Sequence, residues 1–135
     1  MAYDVCVVDT VRMAGDGELD RVLGPLEAAV VQVVIDGERP MVVRSVLEEL
    51  NRDRETPLAY TTVMTVMTRL AEKGVLERQP QGRGYVYQAT SDSAAGIAVH
   101  LVLRDFGDAA IAQFAEEARA DPELRARLQR LLRKR

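Results

Sequence analysis

The chain has 135 residues, of which 47% are hydrophobic and 29% charged, and its net charge is −3. This length allows one domain of ordinary size, or a smaller unit followed by a short appended module. No apolar run is long enough to span a bilayer and no basic region precedes the apolar stretch at the start, so we expect a cytoplasmic protein without membrane insertion. A single cysteine, Cys6, excludes an internal disulfide, and we interpret it as a small apolar residue.

The first 21 residues are predicted to form a leader or arm. Residues 3–11 have a strand-like composition, and Gly15-Asp16-Gly17 predicts a turn or linker. Residues 1–23 contain two basic and five acidic side chains, which is most of the excess acidity of the chain. No motif assigns a role to this segment.

A first helix is predicted after Gly24-Pro25, because proline preorganises a first helical turn. Apolar residues then recur at helical spacing, and the turn residues at positions 36–40 end the pattern. The apolar residues of this face are Leu26, Ala29, Val30, Val33 and Val34.

A short strand and a second helix are predicted next. Residues 41–43 could form the strand, and the helix runs to about Asn51. Its apolar residues are Val46, Leu47 and Leu50. Val42 and Val43 cannot accept a capping hydrogen bond, so the start of this helix must rely on Ser45 or on water.

Residues 60–74 predict a third helix whose two faces differ in character. The apolar residues of one face recur at i, i+3, i+4 and i+7, and they are Val63, Val66, Met67 and Leu70. The other face carries Thr61, Thr62, Thr65 and Thr68, followed by Arg69 and Lys73. Thr and Val also favour strands, but the apolar spacing of three and four, rather than two, indicates a helix.

The threonine face is unusual for a helix that is merely solvated. Each β-branched Thr lowers helix propensity by about 0.5 kcal/mol relative to Ala. A threonine hydroxyl can donate or accept a hydrogen bond at a base edge, and its methyl can contact the thymine methyl in the major groove. We therefore predict a DNA recognition helix, with an ordinary core helix as the alternative.

A β-hairpin is predicted after this helix. Gly74 is expected to end the helix in a left-handed conformation. Residues 75–79 and 85–89 alternate apolar and polar side chains around turn residues at 80–84. The order of helix, short strand, helix, helix and hairpin is that of a winged helix-turn-helix, in which the hairpin tip reaches a flanking phosphate or the minor groove. Arg83 is the natural contact at this tip, with an exposed turn arginine of no consequence as the alternative.

Residues 91–135 are helical in pattern and predict a dimerisation module. Three short helices with this many apolar residues are too small for an independent core, so pairing with a second copy is the economical explanation. Packing on the winged helix of the same chain is the alternative. The residues that we assign to the dimer interface are Leu101, Ile111, Phe114, Leu124, Leu128 and Leu131. The last helix is predicted to begin after Asp121-Pro122, an N-cap residue followed by a proline at the first helical position. Its arginines suit its negative C-terminal dipole.

Several of these segments together resemble the penicillinase-repressor (BlaI/MecI) family. They are residues 23–27 (LGPLE), 43–50 (VRSVLEEL), 59–70 (AYTTVMTVMTRL), 73–76 (KGVL) and 82–87 (GRGYVY). The TTVxTxxxRLxxKG run is the most specific of them. The likeness is strong over residues 22–90 and weaker elsewhere.

The resemblance implies a mostly α fold with a small β-hairpin, in which a winged helix-turn-helix at residues 22–90 precedes a helical dimerisation domain at 91–135. It implies a homodimeric transcriptional repressor on inverted-repeat double-stranded DNA operators. By position, the DNA contacts are Thr61, Thr62, Thr65, Arg69 and Arg83. A membrane sensor protease is a further implied partner. The family's Asn-Phe cleavage site aligns here with Asp105-Phe106, so one of its two residues differs.

Other functional classes are less well supported by the residues. An enzyme is disfavoured because His100 is the only histidine, and no phosphate loop, nucleophile elbow or metal-ligand spacing is present. We therefore expect no cofactor and no metal. A winged helix used for protein binding, and a repressor that senses a small molecule, remain as alternatives.

The charge distribution predicts modest electrostatic attraction to DNA. Residues 59–90 carry Arg69, Lys73, Arg78 and Arg83 against Glu72 and Glu77, a local charge of +2. We expect few phosphate contacts per subunit and a shallow salt dependence, with affinity that depends on two half-sites bound together.

Overall fold

The computed structural model of the chain describes residues 18–134. Its elements, in chain order, are helices α1 (Pro25–Gly37), α2 (Val43–Asn51) and α3 (Tyr60–Glu72), strands β1 (Leu76–Gln81) and β2 (Gly84–Ala89), and helices α4 (Ala94–Phe106), α5 (Asp108–Ala120) and α6 (Pro122–Arg133). This is the mostly α architecture with one hairpin that the sequence predicts. Cys6 and the strand-like stretch at 3–11 lie outside the described residues.

The described residues form two compact units, and the boundary between them falls within α4. The first extends to Leu101 and the second begins at Val102. No helix in residues 18–134 is both long enough and apolar enough to cross a membrane.

The core of the first unit lies between α1, α2, α3 and the hairpin. α3 contributes Val63, Met67 and Leu70, which are completely buried. Leu19 precedes α1 in the segment that we assigned to the leader, yet it is only 2% exposed and belongs to this core. Fully burying a side chain of this size contributes about 1.5 to 3 kcal/mol, so the folded unit begins before residue 22.

α1 begins at Pro25, as predicted, but its buried face is shifted from the predicted one. The buried residues are Ala28, Val30, Val31 and Val34, whereas Leu26, Ala29 and Val33 are only partly buried. The helix ends at Gly37, and Glu38 takes the left-handed conformation with φ 62°. A Cβ atom on Gly37 would lie 2.7 Å from Sδ of Met41, so the glycine permits the chain to turn back closely.

The predicted short strand at residues 41–43 is a single bridge. The backbone N–H of Met41 donates to the carbonyl of Tyr87 at 2.8 Å, and the reverse bond has the same length. Val43 already belongs to α2, whose N-cap residue, Val42, makes no side-chain capping bond.

β1 and β2 pair antiparallel, from Leu76 opposite Ala89 to Gln81 opposite Gly84. The strands are longer than the predicted alternation, and the turn consists of Gly82 and Arg83 alone. Gly82 has φ 61°. A glycine with positive φ at the first central position is typical of a type II′ turn, whose twist matches that of the flanking strands.

In the second unit, α5 and α6 pack against each other. Asp121 caps α6, because its Oδ1 accepts hydrogen bonds from the N–H groups of Glu123 and Leu124 at 3.0 and 3.2 Å. This agrees with the Asp-Pro start read from the sequence. In these two helices only Ala118 is buried, so most of their apolar residues face outward in the single chain.

Candidate nucleic-acid interface

α3 has one face in the core and the opposite face open to solvent. The residues predicted to contact DNA on this helix are Thr61, Thr62, Thr65, Thr68 and Arg69, and all are exposed except Thr68, which is half-buried. Val66, predicted to be buried, is only partly so. The helix thus presents small hydroxyl side chains, and its apolar side chains anchor it.

The Asn51 side chain, which the sequence analysis did not single out, holds the loop that precedes α3. The Asn51 side-chain amide donates to the carbonyl oxygen of Leu58 at 3.1 Å, and its Oδ1 accepts from the Leu58 N–H at 2.8 Å. These two bonds close the loop of residues 52–59, which joins α2 to α3. Ala59, the N-cap residue of α3, follows directly, so Asn51 holds the backbone one residue before the helix cap. In the sequence, the only indication of this role is that an Asn stands at the end of a predicted helix.

α3 ends before Gly74, which takes the predicted left-handed conformation. Lys73, which the sequence analysis counted in the local positive charge, has a partner within the fold. Gly74 has φ 83° and lets the chain turn into β1. The Lys73 ammonium lies 2.9 Å from Oε2 of Glu27 on α1. This charge therefore joins two helices of the core, and it should not be counted with the cations available to DNA.

Arg44 of α2 lies against the first residue of α3. Its guanidinium carbon is 5.4 Å from the centroid of the Tyr60 ring, within the range of a cation–π interaction. Arg44 is exposed, and Tyr60 directly precedes Thr61. Charge counting over residues 59–90 left Arg44 out, because it lies on another element of the sequence.

The hairpin carries two arginines with different surroundings. Arg83 is exposed at the two-residue tip. Arg78 stacks over Tyr85 at 4.2 Å, and the Tyr85 ring meets the Tyr87 ring edge to face at 6.4 Å. A side-chain hydrogen bond with Tyr87 raises the pKa of the Arg78 guanidinium, and the negative charge of Glu72 adds to this. Arg78 thus lies against two tyrosines of the hairpin, whereas Arg83 contacts no ring or carboxylate among the described residues.

The arginines of this surface have no ion-pair partner in the part of the chain that the structure describes. No carboxylate within residues 18–134 lies in ion-pair distance of Arg44, Arg69, Arg78 or Arg83. Arg52, by contrast, lies 2.9 Å from Oε2 of Glu49. Unpaired guanidinium groups beside a hydroxyl-bearing helix face can bind phosphate while the threonines contact base edges.

The residues predicted for the dimer interface fall on both units. Ile111, Phe114 and Leu131 are exposed in the second unit, and Leu124 and Leu128 are half-buried there. Leu101 belongs to the first unit and is partly buried against its core.

Comparison with known proteins gives one matching family and two close relatives. The model of the penicillinase repressor family matches residues 23–134. The relatives are proteins named transcriptional regulator BlaI from two strains of Mycobacterium tuberculosis, CDC 1551 / Oshkosh and ATCC 25618 / H37Rv. Each is 37% identical over 106 residues, which cover 73% of this chain and 75% of the relative.

Proposed function

The chain belongs to the penicillinase repressor family and is a DNA-binding transcriptional repressor, and from this we propose that it acts as a homodimer on inverted-repeat operators. Members of this family are repressors and not enzymes. Beyond the family assignment, we propose which residues contact the DNA and that two copies bind one operator.

The observation that carries the proposal is the exposed threonine face of α3. Thr61, Thr62 and Thr65 are open to solvent, while the opposite face of the same helix is buried. In helix-turn-helix proteins the recognition helix lies in the major groove and its N-terminal residues contact base edges. We assign base contacts to these threonines and to Thr68 and Arg69, and a backbone or minor-groove contact to Arg83.

The homodimer is supported by the apolar surface of the second unit. Leu131 and Leu132 of α6 are 66% and 75% exposed, and Ile111 of α5 is 57% exposed. A second copy that covers these side chains would remove their apolar surface from water. A symmetric dimer places two recognition helices about one DNA turn apart, which is the reason that such proteins bind inverted repeats.

A gel shift tests the proposal. The purified protein is titrated on the DNA upstream of its own gene, with excess unrelated duplex present, over a series of salt concentrations. We expect a discrete complex of two chains per duplex that survives the competitor, and footprinting should then locate two half-sites. A complex of one chain per duplex would contradict the dimer. No complex with either duplex, even at low salt, would favour a winged helix that binds another protein instead of an operator.

Release from DNA by proteolysis is the finer part of the proposal. The bond aligned with the family's cleavage site is Asp105-Phe106, at the end of α4. Phe106 is 65% exposed, and Gly107 ends the helix with φ 55°. An exposed helix end is easily opened by a protease. Asp in place of Asn adds a charge, so a protease that cuts here must accept an acidic residue.

Mass spectrometry checks the cleavage. The protein is incubated with lysate from induced and uninduced host cells, and fragments ending at residue 105 and starting at residue 106 are expected only with the induced lysate. An Asp105→Asn variant should be cut as well or better. A chain that stays intact in both lysates would remove proteolytic release from the proposal.

A further inference from the structure

We propose that Arg44 contacts a DNA backbone phosphate and that Tyr60 positions its guanidinium for this contact. The inference rests on the proposed binding mode, in which α3 enters the major groove. It adds a phosphate site on α2, an element to which neither the sequence pattern nor the family resemblance assigned a DNA contact.

Arg44 lies beside the start of the recognition helix α3. Its guanidinium carbon lies 5.4 Å from the Tyr60 ring centroid. Because Tyr60 is the first residue of α3, the guanidinium lies at the same end of this helix as Thr61 and Thr62. In helix-turn-helix complexes this end of the recognition helix meets the bases, while the preceding helix crosses the sugar-phosphate backbone. A cation held there by α2 therefore meets phosphate and not a base.

Arg44 has no ion-pair partner among the described residues. The arginine at the other end of α2, Arg52, is paired with the Glu49 carboxylate at 2.9 Å. Arg44 instead lies against the Tyr60 ring. No carboxylate among residues 18–134 pairs with it. A ring attracts a cation through its quadrupole without cancelling the charge. The guanidinium can thus still form charge-assisted hydrogen bonds with a phosphate.

The Tyr60 ring restrains the Arg44 side chain. Arginine has a flexible stem, and fixing it on binding costs conformational entropy. A guanidinium already stacked on a ring loses less of this freedom when it meets phosphate. Tyr60 is 40% exposed, so it remains accessible beside the DNA instead of being a core residue. We therefore assign Tyr60 a positioning role through Arg44.

The experiment measures binding as a function of salt for two duplexes, the footprinted upstream DNA and an unrelated duplex of equal length. Arg44→Gln should weaken binding to both duplexes by the same factor. It should also reduce the slope of log affinity against log salt by about 0.9 for each phosphate that the variant no longer neutralises. Arg52→Gln, at the C-cap of α2, is the matched control, and its slope should equal that of the parent protein.

Variants of Tyr60 separate positioning from direct contact. Tyr60→Phe keeps the ring and should bind as the parent does, whereas Tyr60→Leu should weaken binding to both duplexes. When Arg44 is already Gln, Tyr60→Leu should cause no further loss. Arg44→Lys keeps the charge and should keep the salt slope. A loss of affinity in Tyr60→Phe would mean that the hydroxyl contacts DNA directly and would overturn the positioning role.

Two further outcomes decide the proposal. If Arg44→Gln lowers the thermal unfolding midpoint and the affinity but leaves the salt slope unchanged, the residue is structural and the phosphate contact is wrong. If it weakens binding only to the operator, it reads a base. Failure of the proposed function looks different, because the parent protein would then form no salt-dependent complex with either duplex.

Discussion

The exposed threonines of α3 oppose the local stability of the helix that carries them. Each costs about 0.5 kcal/mol of helix propensity relative to Ala, and Thr61, Thr62 and Thr65 make no packing contribution to the core that would offset this. Their retention is understandable if the hydroxyl and methyl groups act on a bound partner. The same reasoning separates their effect on binding from their effect on folding.

Replacing Thr62 or Thr65 by Ala should therefore have opposite effects on the two properties. We expect unfolding stability to stay equal or to rise by up to about 0.5 kcal/mol per site, and operator binding to weaken by roughly 1 to 3 kcal/mol. Urea unfolding and fluorescence anisotropy on labelled operator measure the two effects. Thr56→Ala, an exposed threonine of the loop before α3, serves as the control. Unfolding of the Thr62 or Thr65 variant would show that these side chains belong to the core.

Asn51 has a different role, because it acts on the path of the backbone. Asn51→Ala leaves both Leu58 backbone groups without their partner, and these groups are part-buried. We expect a loss of about 1 to 3 kcal/mol in unfolding free energy together with weaker operator binding. Asn51→Asp keeps the acceptor for the Leu58 N–H and should lose less. Unchanged stability in Asn51→Ala would mean that core packing alone sets the loop.

At the scale of elements, the hairpin depends on one backbone conformation at its tip. Gly82 has φ 61°, which places Arg83 at the second central position of a tight turn. Gly84 begins β2 and has no positive φ. A Cβ atom at either glycine would meet no atom within 4 Å, so only backbone strain distinguishes the two sites.

Gly82→Ala should accordingly strain the turn by about 1 to 3 kcal/mol, and Gly84→Ala should be tolerated. We expect the first substitution to weaken DNA binding through a displaced Arg83, with only a small decrease in the thermal midpoint. Salt-dependent binding of both variants, with Arg83→Ala for reference, measures this. Equal binding by Gly82→Ala and the parent would mean that the tip makes no contact with DNA.

At the scale of the whole molecule, the acidic balance and the apolar second unit point to the same mode of binding. A chain with a net charge of −3 gains little from bulk attraction to DNA, and the dimer that we propose would make each specific contact twice. Pairing Lys73 with Glu27 removes one more cation from those available to DNA. A dimer doubles the remaining interactions without raising the charge of each chain.

Leu131→Asp should give monomers with an intact first unit. Leu131 is 66% exposed, so a charge there is solvated in one chain and costly only when a second chain covers it. Leu128 is half-buried and would be a less clean site, because its replacement also disturbs packing within one chain. Sedimentation velocity and operator binding measure the effect, and Gln129→Asp controls for added charge on α6. A Leu131→Asp protein that sediments as the parent does would place the interface elsewhere.

Most of the fold and part of the site follow from local sequence patterns. Apolar spacing in α3 and α2, the proline at the start of α1, the Asp121 cap and the glycine at 74 all depend on near neighbours, and each gave a prediction that the structure matches. The precise buried face of α1 could not be predicted from local spacing, because α1 packs against α2, α3 and β2, and its core residues include Ala28 and Val31. Leu19 was missed for the same reason.

The sequence by itself determined the order of helices and strands, the threonine face of α3, and the wing arginine, since a residue's periodicity and turn propensity are local properties. Only the tertiary structure decided which side chain lies against each of the basic residues. Lys73 meets Glu27 from 46 residues away, Arg44 meets Tyr60, and Arg78 meets Tyr85 across the hairpin. Such pairs depend on how the chain folds back on itself, and through-space contact has no signature in a single sequence.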